Sequence, residues 1–168
     1  MTANAQRQAV VTTRSADETR AFAAHIASVA TAGDRIALLG PLGAGKTQFA
    51  KGFALGLGVT EVVNSPSFTL MAEYAGRLPL FHQDLYRLSG ADEAIAGGMV
   101  DERQAAGVTL TEWAERLPDE VDPLRVTVRI DVLGDDERRI TISPANEEQE
   151  RYVDAAGGWS TAAVENAR

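Results

Sequence analysis

Gly40-Pro41-Leu42-Gly43-Ala44-Gly45-Lys46-Thr47 follows the apolar run Ile36-Ala37-Leu38-Leu39 and precedes a segment with Phe49, Phe53 and Leu57 on one helical face. The apolar run is too short for a helix and is flanked by glycine, so it reads as a strand buried on both faces. The octapeptide is a complete G-x-x-x-x-G-K-[ST]. Its glycines let the backbone turn successive N–H groups toward phosphate oxygens at a helix N-terminus, whose dipole favours anions. Lys46 then reaches the β and γ phosphates as a flexible point charge, and the Thr47 hydroxyl is a Mg²⁺ ligand. Lys46 and Lys51 are the only two lysines of the chain. The first stands where the motif demands it, whereas Lys51, off the apolar face, reads as a solvated helix residue. Strand, loop and helix together predict nucleotide binding.

On the N-terminal side, Val10-Val11-Thr12-Thr13 reads as a strand. Ser15 can cap a helix over 16–32, with Glu18 at the spacing of a capping box and Phe22, Ile26 and Val29 forming one buried stripe. Beyond the loop, Gly52 and Gly56 each weaken the second helix by about 1 kcal/mol, which reads as close packing against the sheet. Runs over 68–74 and 78–84 predict an antiparallel hairpin, and runs over 125–131 and 138–143 predict a second. Between them lie a helical stretch over 92–104, interrupted by Gly97-Gly98, and a strand over 108–111. Residues 1–144 read as one domain, and 145–168 as an acidic, flexible, solvated tail with a short helix, in which Trp159 is an aromatic in a mostly polar stretch.

The chain of 168 residues is long enough for one core, and with no cysteine it has no disulfide framework, thiolate metal site or cysteine nucleophile. Residues 1–90 carry a charge balance of +2 and residues 91–168 one of −10. An anion belongs with the first half. The acidic second half argues against direct gripping of a nucleic-acid backbone, which depends on Lys and Arg neutralising phosphates. Neither a signal peptide nor an apolar run of membrane-spanning length is present, so the expectation is a cytoplasmic protein with no membrane association.

Phosphate chemistry also needs a carboxylate for the metal and a group that orients the attacking atom, placed at the carboxyl ends of neighbouring strands. Asp84 ends one predicted strand and Glu112 another; position alone leaves open whether each is a catalytic group or a loop residue. His82, alone inside its strand, reads as a hydrogen-bonded packing residue. Trp113 either lies near the nucleotide or the partner interface, or fills the core.

The phosphate loop, Ser65-Pro66-Ser67-Phe68-Thr69-Leu70, His82-Gln83-Asp84-Leu85-Tyr86-Arg87-Leu88 and Thr111-Glu112-Trp113, in this order and spacing, resemble the TsaE family over residues 10–143. The resemblance implies a three-layer α/β/α P-loop NTPase-like fold with a mixed sheet that includes the antiparallel hairpins. It implies an ATP- and Mg²⁺-dependent ATPase, weak until stimulated by partners. The family serves the bacterial pathway making N6-threonylcarbamoyladenosine on tRNA and acts on the TsaD–TsaB complex, reaching tRNA indirectly. Carried over, Gly43, Ala44, Gly45, Lys46, Thr47 and Gln48 bind nucleotide, and Thr47, Asp84 and Glu112 organise Mg²⁺ and water. Lys46, Glu112 and Asp84 are then catalytic, and Ser65 and Ser67 belong to a switch-like segment. Ser67 stands where the family often has Thr, and Gln48 replaces a hydroxyl residue. Asp17 and Thr19 fall in the family's N-terminal segment near the nucleotide; Arg138 and Arg139 approach from the last hairpin. Two other functions share the motif: a small-molecule kinase, for which Arg87 alone stands near the motifs, and a nucleotide-dependent clamp with incidental hydrolysis. A GTPase is disfavoured because no N/T-K-x-D sequence occurs.

Overall fold

The computed structural model describes residues 7–66, 70–88, 93, 100–118 and 120–160. Seven strands form one sheet: β1 (Ala9–Thr13), β2 (Arg35–Leu39), β3 (Met71–Tyr74), β4 (Leu80–Asp84), β5 (Val108–Glu112), β6 (Val126–Val132) and β7 (Arg138–Ser143). Their order is β1-β7-β6-β2-β5-β4-β3. β2 pairs in parallel with β5 and β6, and β5 in parallel with β4; the β3–β4, β6–β7 and β1–β7 pairs are antiparallel. The apolar run is thus a central strand, buried on both faces as its composition requires. Both expected hairpins form, and the fold is the expected mixed α/β arrangement.

Helix α1 (Ala16–Ala27) is capped by Ser15, whose hydroxyl accepts from the Glu18 amide at 3.0 Å. The reciprocal half of the capping box is missing: Glu18 Oε1 is buried with no partner among the described residues. The helix stops five residues before the expected end. Ser28 caps it. The carbonyls that would continue the ladder are taken by distant arginines instead: Arg77 donates to Ala27 and Ala30, and Arg151 to Val29. Helix α2 (Lys46–Gly56) packs beside α1. Its glycines serve that contact rather than the sheet, because a Cβ on Gly52 would fall 2.1 Å from the Arg20 carbonyl oxygen and one on Gly56 2.4 Å from that of Ala24.

Most of the helix expected over 92–104 lies outside the described residues. Its end is a 3-10 turn, Glu102–Ala106, capped by Asp101.

The solvated-tail reading is overturned for the described part of 145–168. Helix α3 (Glu150–Gly157) packs on α1 and β1, and Tyr152 is wholly buried. Its hydroxyl donates to Asp34, as does Arg151. Trp159 sets its ring edge-on to Phe22 with centroids 5.3 Å apart. Few apolar residues were needed, because a side chain of tyrosine size and one indole bury as much surface as several aliphatics.

Candidate nucleotide site

The period of two along a strand puts Leu80, His82 and Asp84 on one face of β4, and Leu110 and Glu112 on the same face of β5. Leu80 and Leu110 belong to the core beneath α1 and α2, so the two carboxylates at the strand ends turn toward the start of α2. Parallel pairing places Asp84 opposite Glu112, with Glu112 opposite Leu38 of the central strand. Both acids therefore stand at the carboxyl edge of the sheet beside the phosphate loop.

That loop joins β2 to α2 through backbone that two of its glycines make possible. Gly45 has φ +105°, a left-handed conformation at the helix start. At Gly40 a Cβ would lie 2.5 Å from the Ile130 carbonyl oxygen of β6. Lys46 turns back over the loop, donating to the Gly40 carbonyl and, at 3.1 Å, to that of Pro41; its ammonium lies 3.9 Å from the centroid of the Trp113 ring. Burial pulls its pKa below the ordinary lysine value of 10.5, against the opposing pull of Glu115, Glu112 and Asp84.

Thr47 donates its hydroxyl to Glu112 Oε1 at 3.0 Å. The other oxygen, Oε2, lies 2.7 Å from His82 Nε2. Asp84 accepts the Ser65 hydroxyl on Oδ2 and the Tyr86 amide on Oδ1 at 2.9 Å. These groups line a cleft of about 510 Å³ whose wall is the loop from Leu42 to Gln48 on one side and Ser65, Asp84, Tyr86, Arg87, Glu112 and Trp113 on the other.

Of the residues singled out in the sequence, Gly43, Ala44, Gly45, Lys46, Thr47, Gln48, Ser65, Asp84, Glu112 and Trp113 converge on this cleft. Trp113 lines this cleft and also packs, partly buried, against the small apolar cluster of Leu85, Leu88 and Leu117. Its own backbone is left-handed, at φ +57°. Thr19 and Arg138 stand elsewhere, in a smaller cleft of about 130 Å³ behind the loop, with Ser15, Gln48 and Asp135. Arg138 braces the loop there, donating to the carbonyls of Ala44 at 3.0 Å and Gly43 at 3.3 Å. Asp17 and Arg139 line neither cleft. Asp17 pairs with Arg20, which in turn donates to Gln48, and half-exposed Arg139 faces Asp131 across the β6–β7 ladder. Ser67 lies outside the described residues.

Tyr86 was not singled out in the sequence, Arg87 entered only with the kinase alternative, and His82 read as a hydrogen-bonded packing residue. Tyr86 packs its ring, tilted by 50°, against Trp113 with centroids 5.0 Å apart and, like Arg87, lines the main cleft. Their positions two and three residues beyond Asp84, where the chain leaves the strand end, were the available signal. His82 is buried and hydrogen-bonded as expected, but its partner, Glu112, was invisible because it lies on another strand.

A mixed parallel-centred sheet, a phosphate loop between its central strand and the adjoining helix, and two carboxylates at neighbouring strand ends define a protein of the P-loop α/β class. Within that class the chain belongs to the TsaE family, whose model, described as Threonylcarbamoyl adenosine biosynthesis protein TsaE, matches residues 13–140. The chain is similar to the tRNA threonylcarbamoyladenosine biosynthesis protein TsaE of Bacillus subtilis, 45% identical over 128 residues covering 76% of this chain and 80% of that one. The protein of the same name from Treponema pallidum is 41% identical over 130 residues, 77% of this chain and 96% of its own. Among solved structures, that of Bacillus subtilis YdiB superposes with a TM-score of 0.72 at 39% identity, covering 92% of this chain and 97% of that one.

Proposed function

We propose that this protein is a Mg²⁺-dependent ATPase of tRNA threonylcarbamoyladenosine biosynthesis, acting in the cytoplasm on the TsaD–TsaB complex and reaching tRNA only through it. One observation carries the ATPase reading: the helix-start hydroxyl of Thr47 is bonded to Glu112, which stands in register with Asp84, and all three face the Lys46 loop across one cleft.

The donors suit Mg²⁺, being hard oxygens of one hydroxyl and two carboxylates. Among the described residues no group of three or more His, Asp or Glu closes a cage of its own. Magnesium is characteristically held by one or two carboxylates together with substrate phosphates. Bound there, Mg²⁺ would neutralise charge on the β and γ phosphates. The protein's own groups do the rest. Loop N–H groups seat the phosphates, and Lys46 exchanges its carbonyl partners for phosphate oxygens, whose negative charge favours the ammonium form against the effect of burial. Glu112 orients water in line with the γ-phosphate, and Ser65 reports the state of that phosphate by engaging or releasing Asp84, with Ser67 in the same switch-like segment of the sequence. The smaller cleft at Thr19 and Arg138 receives the sugar and base, with Asp17 acting through Arg20 on Gln48. Residues 1–144 carry this machinery, and the helix Glu150–Gly157 supports it by packing on α1 and β1.

The acidic balance of residues 91–168 supports binding to an enzyme complex rather than to the tRNA backbone. ATP hydrolysis by the purified chain, measured alone and with TsaD–TsaB, tests the reading. Strong stimulation by the pair is expected, abolished in Lys46→Ala and Glu112→Ala. Turnover of either variant at the wild-type rate, or no response to the pair, refutes it.

A further inference from the structure

We propose that His82 is a positioning residue for Glu112, its Nε2–H holding the carboxylate in the orientation that receives the Thr47 hydroxyl. The consequence for turnover rests on the ATPase reading above; the hydrogen bond itself does not.

His82 is wholly buried in the middle of β4, and Glu112 is 2% exposed at the end of β5. Register pairs His82 with Leu110, so Glu112 is its diagonal neighbour on the same face, within reach of a long side chain. Glutamate has three rotatable side-chain bonds, and a single contact from Thr47 at Oε1 leaves the second oxygen free to swing. The 2.7 Å contact at Oε2 removes that freedom. The imidazole is itself committed to the task. Nδ1 is buried with no partner among the described residues, so a proton there would have no acceptor, whereas a proton on Nε2 has Glu112. The ring therefore takes the Nε2–H tautomer and offers its one donor to the carboxylate. This is the relation by which outer residues orient the groups that organise a metal, and losing such a partner costs about 10–100-fold in metal affinity or activity.

Three measurements test it. His82→Leu keeps most of the bulk and removes the donor; His82→Gln returns an amide N–H at comparable reach. With ADP as probe, affinity in EDTA is expected to be unchanged in both variants, because the loop donors are untouched. The gain in affinity on adding Mg²⁺, and kcat of the stimulated ATPase, are expected to fall about 10–100-fold in His82→Leu and to recover largely in His82→Gln. The chain has two histidines, so ¹⁵N-histidine NMR of the metal-free protein resolves His82 directly. The Nε2–H tautomer is expected, with its resonance shifted by Glu112→Gln. The inference is overturned if His82→Leu matches the wild type in the Mg²⁺ gain, if His82→Gln is as impaired as His82→Leu, or if the NMR shows the proton on Nδ1. Should the wild type itself show neither a Mg²⁺ gain nor hydrolysis, the ATPase reading falls, and the tautomer with its response to Glu112→Gln decides the role of His82 alone. Should His82→Leu fail to fold, His82→Gln and the NMR decide it.

Discussion

Removing the ring or only the hydroxyl of Tyr152 separates the two ways in which α3 is fastened. Tyr152→Phe deletes the bond to Asp34 but leaves Asp34 with Arg151 and with the Thr31 amide at 2.9 Å. A hydrogen bond to a charged group contributes about 1.5–3 kcal/mol, and the surviving donors put this loss near the lower end, about 1.5 kcal/mol. Tyr152→Ala also empties a fully buried ring site, a loss of about 4–5 kcal/mol. For a chain of this length each kcal/mol moves the melting temperature by about 2–4 °C, so shifts of about 3–6 °C and about 8–20 °C are expected in thermal melts followed by circular dichroism. The comparison has a pH signature. Burial, then the nearby Asp34 charge and the hydrogen bond to it, push the Tyr152 phenol well above its ordinary value of 10.0. A group whose pKa is raised by folding gives its full stabilisation below the unfolded value and loses it above. The wild-type advantage over Tyr152→Phe should therefore hold to about pH 10 and then shrink by about 1.4 kcal/mol per pH unit, vanishing near pH 11. A Tyr152→Ala protein that melts with the wild type would refute the reasoning and return 145–168 to a solvated tail.

Arg138→Ala is expected to weaken nucleotide binding about 10-fold, because the carbonyls of Gly43 and Ala44 lose the guanidinium that braces the loop; Arg139→Ala, which breaks only an exposed pair with Asp131, should leave it unchanged by isothermal titration. Gly40→Ala forces a Cβ to within 2.5 Å of the Ile130 oxygen, so it should cost about 1–3 kcal/mol in urea unfolding and abolish nucleotide binding by displacing the loop from β6.

Local pattern carried a large part of this protein. The apolar run before Gly40 became the central strand, the alternating stretches became hairpins, and the octapeptide placed the loop, because each of these signals resides in neighbouring residues. Asp84 and Glu112 were legible as strand ends, though 28 positions apart, and it took parallel pairing to set them side by side. The errors share one cause. The early stop of α1 depends on Arg77 and Arg151, and the small residues of α2 face α1 rather than the sheet; in both cases the deciding partner lies far along the chain.

The sequence by itself determined the phosphate loop, the order of strands and helices along the chain, and the chemical types available to the site, since glycine conformation, hydrophobic period and side-chain charge are properties of short segments. Only the tertiary structure decided which groups meet. It joined His82 to Glu112 and Glu112 to Thr47, sent Arg138 behind the loop and Arg139 away from it, and buried Tyr152 of a segment whose composition reads as solvated. Those outcomes follow from sheet register and helix docking, in which a shift of one residue turns every side chain of a strand to the opposite face.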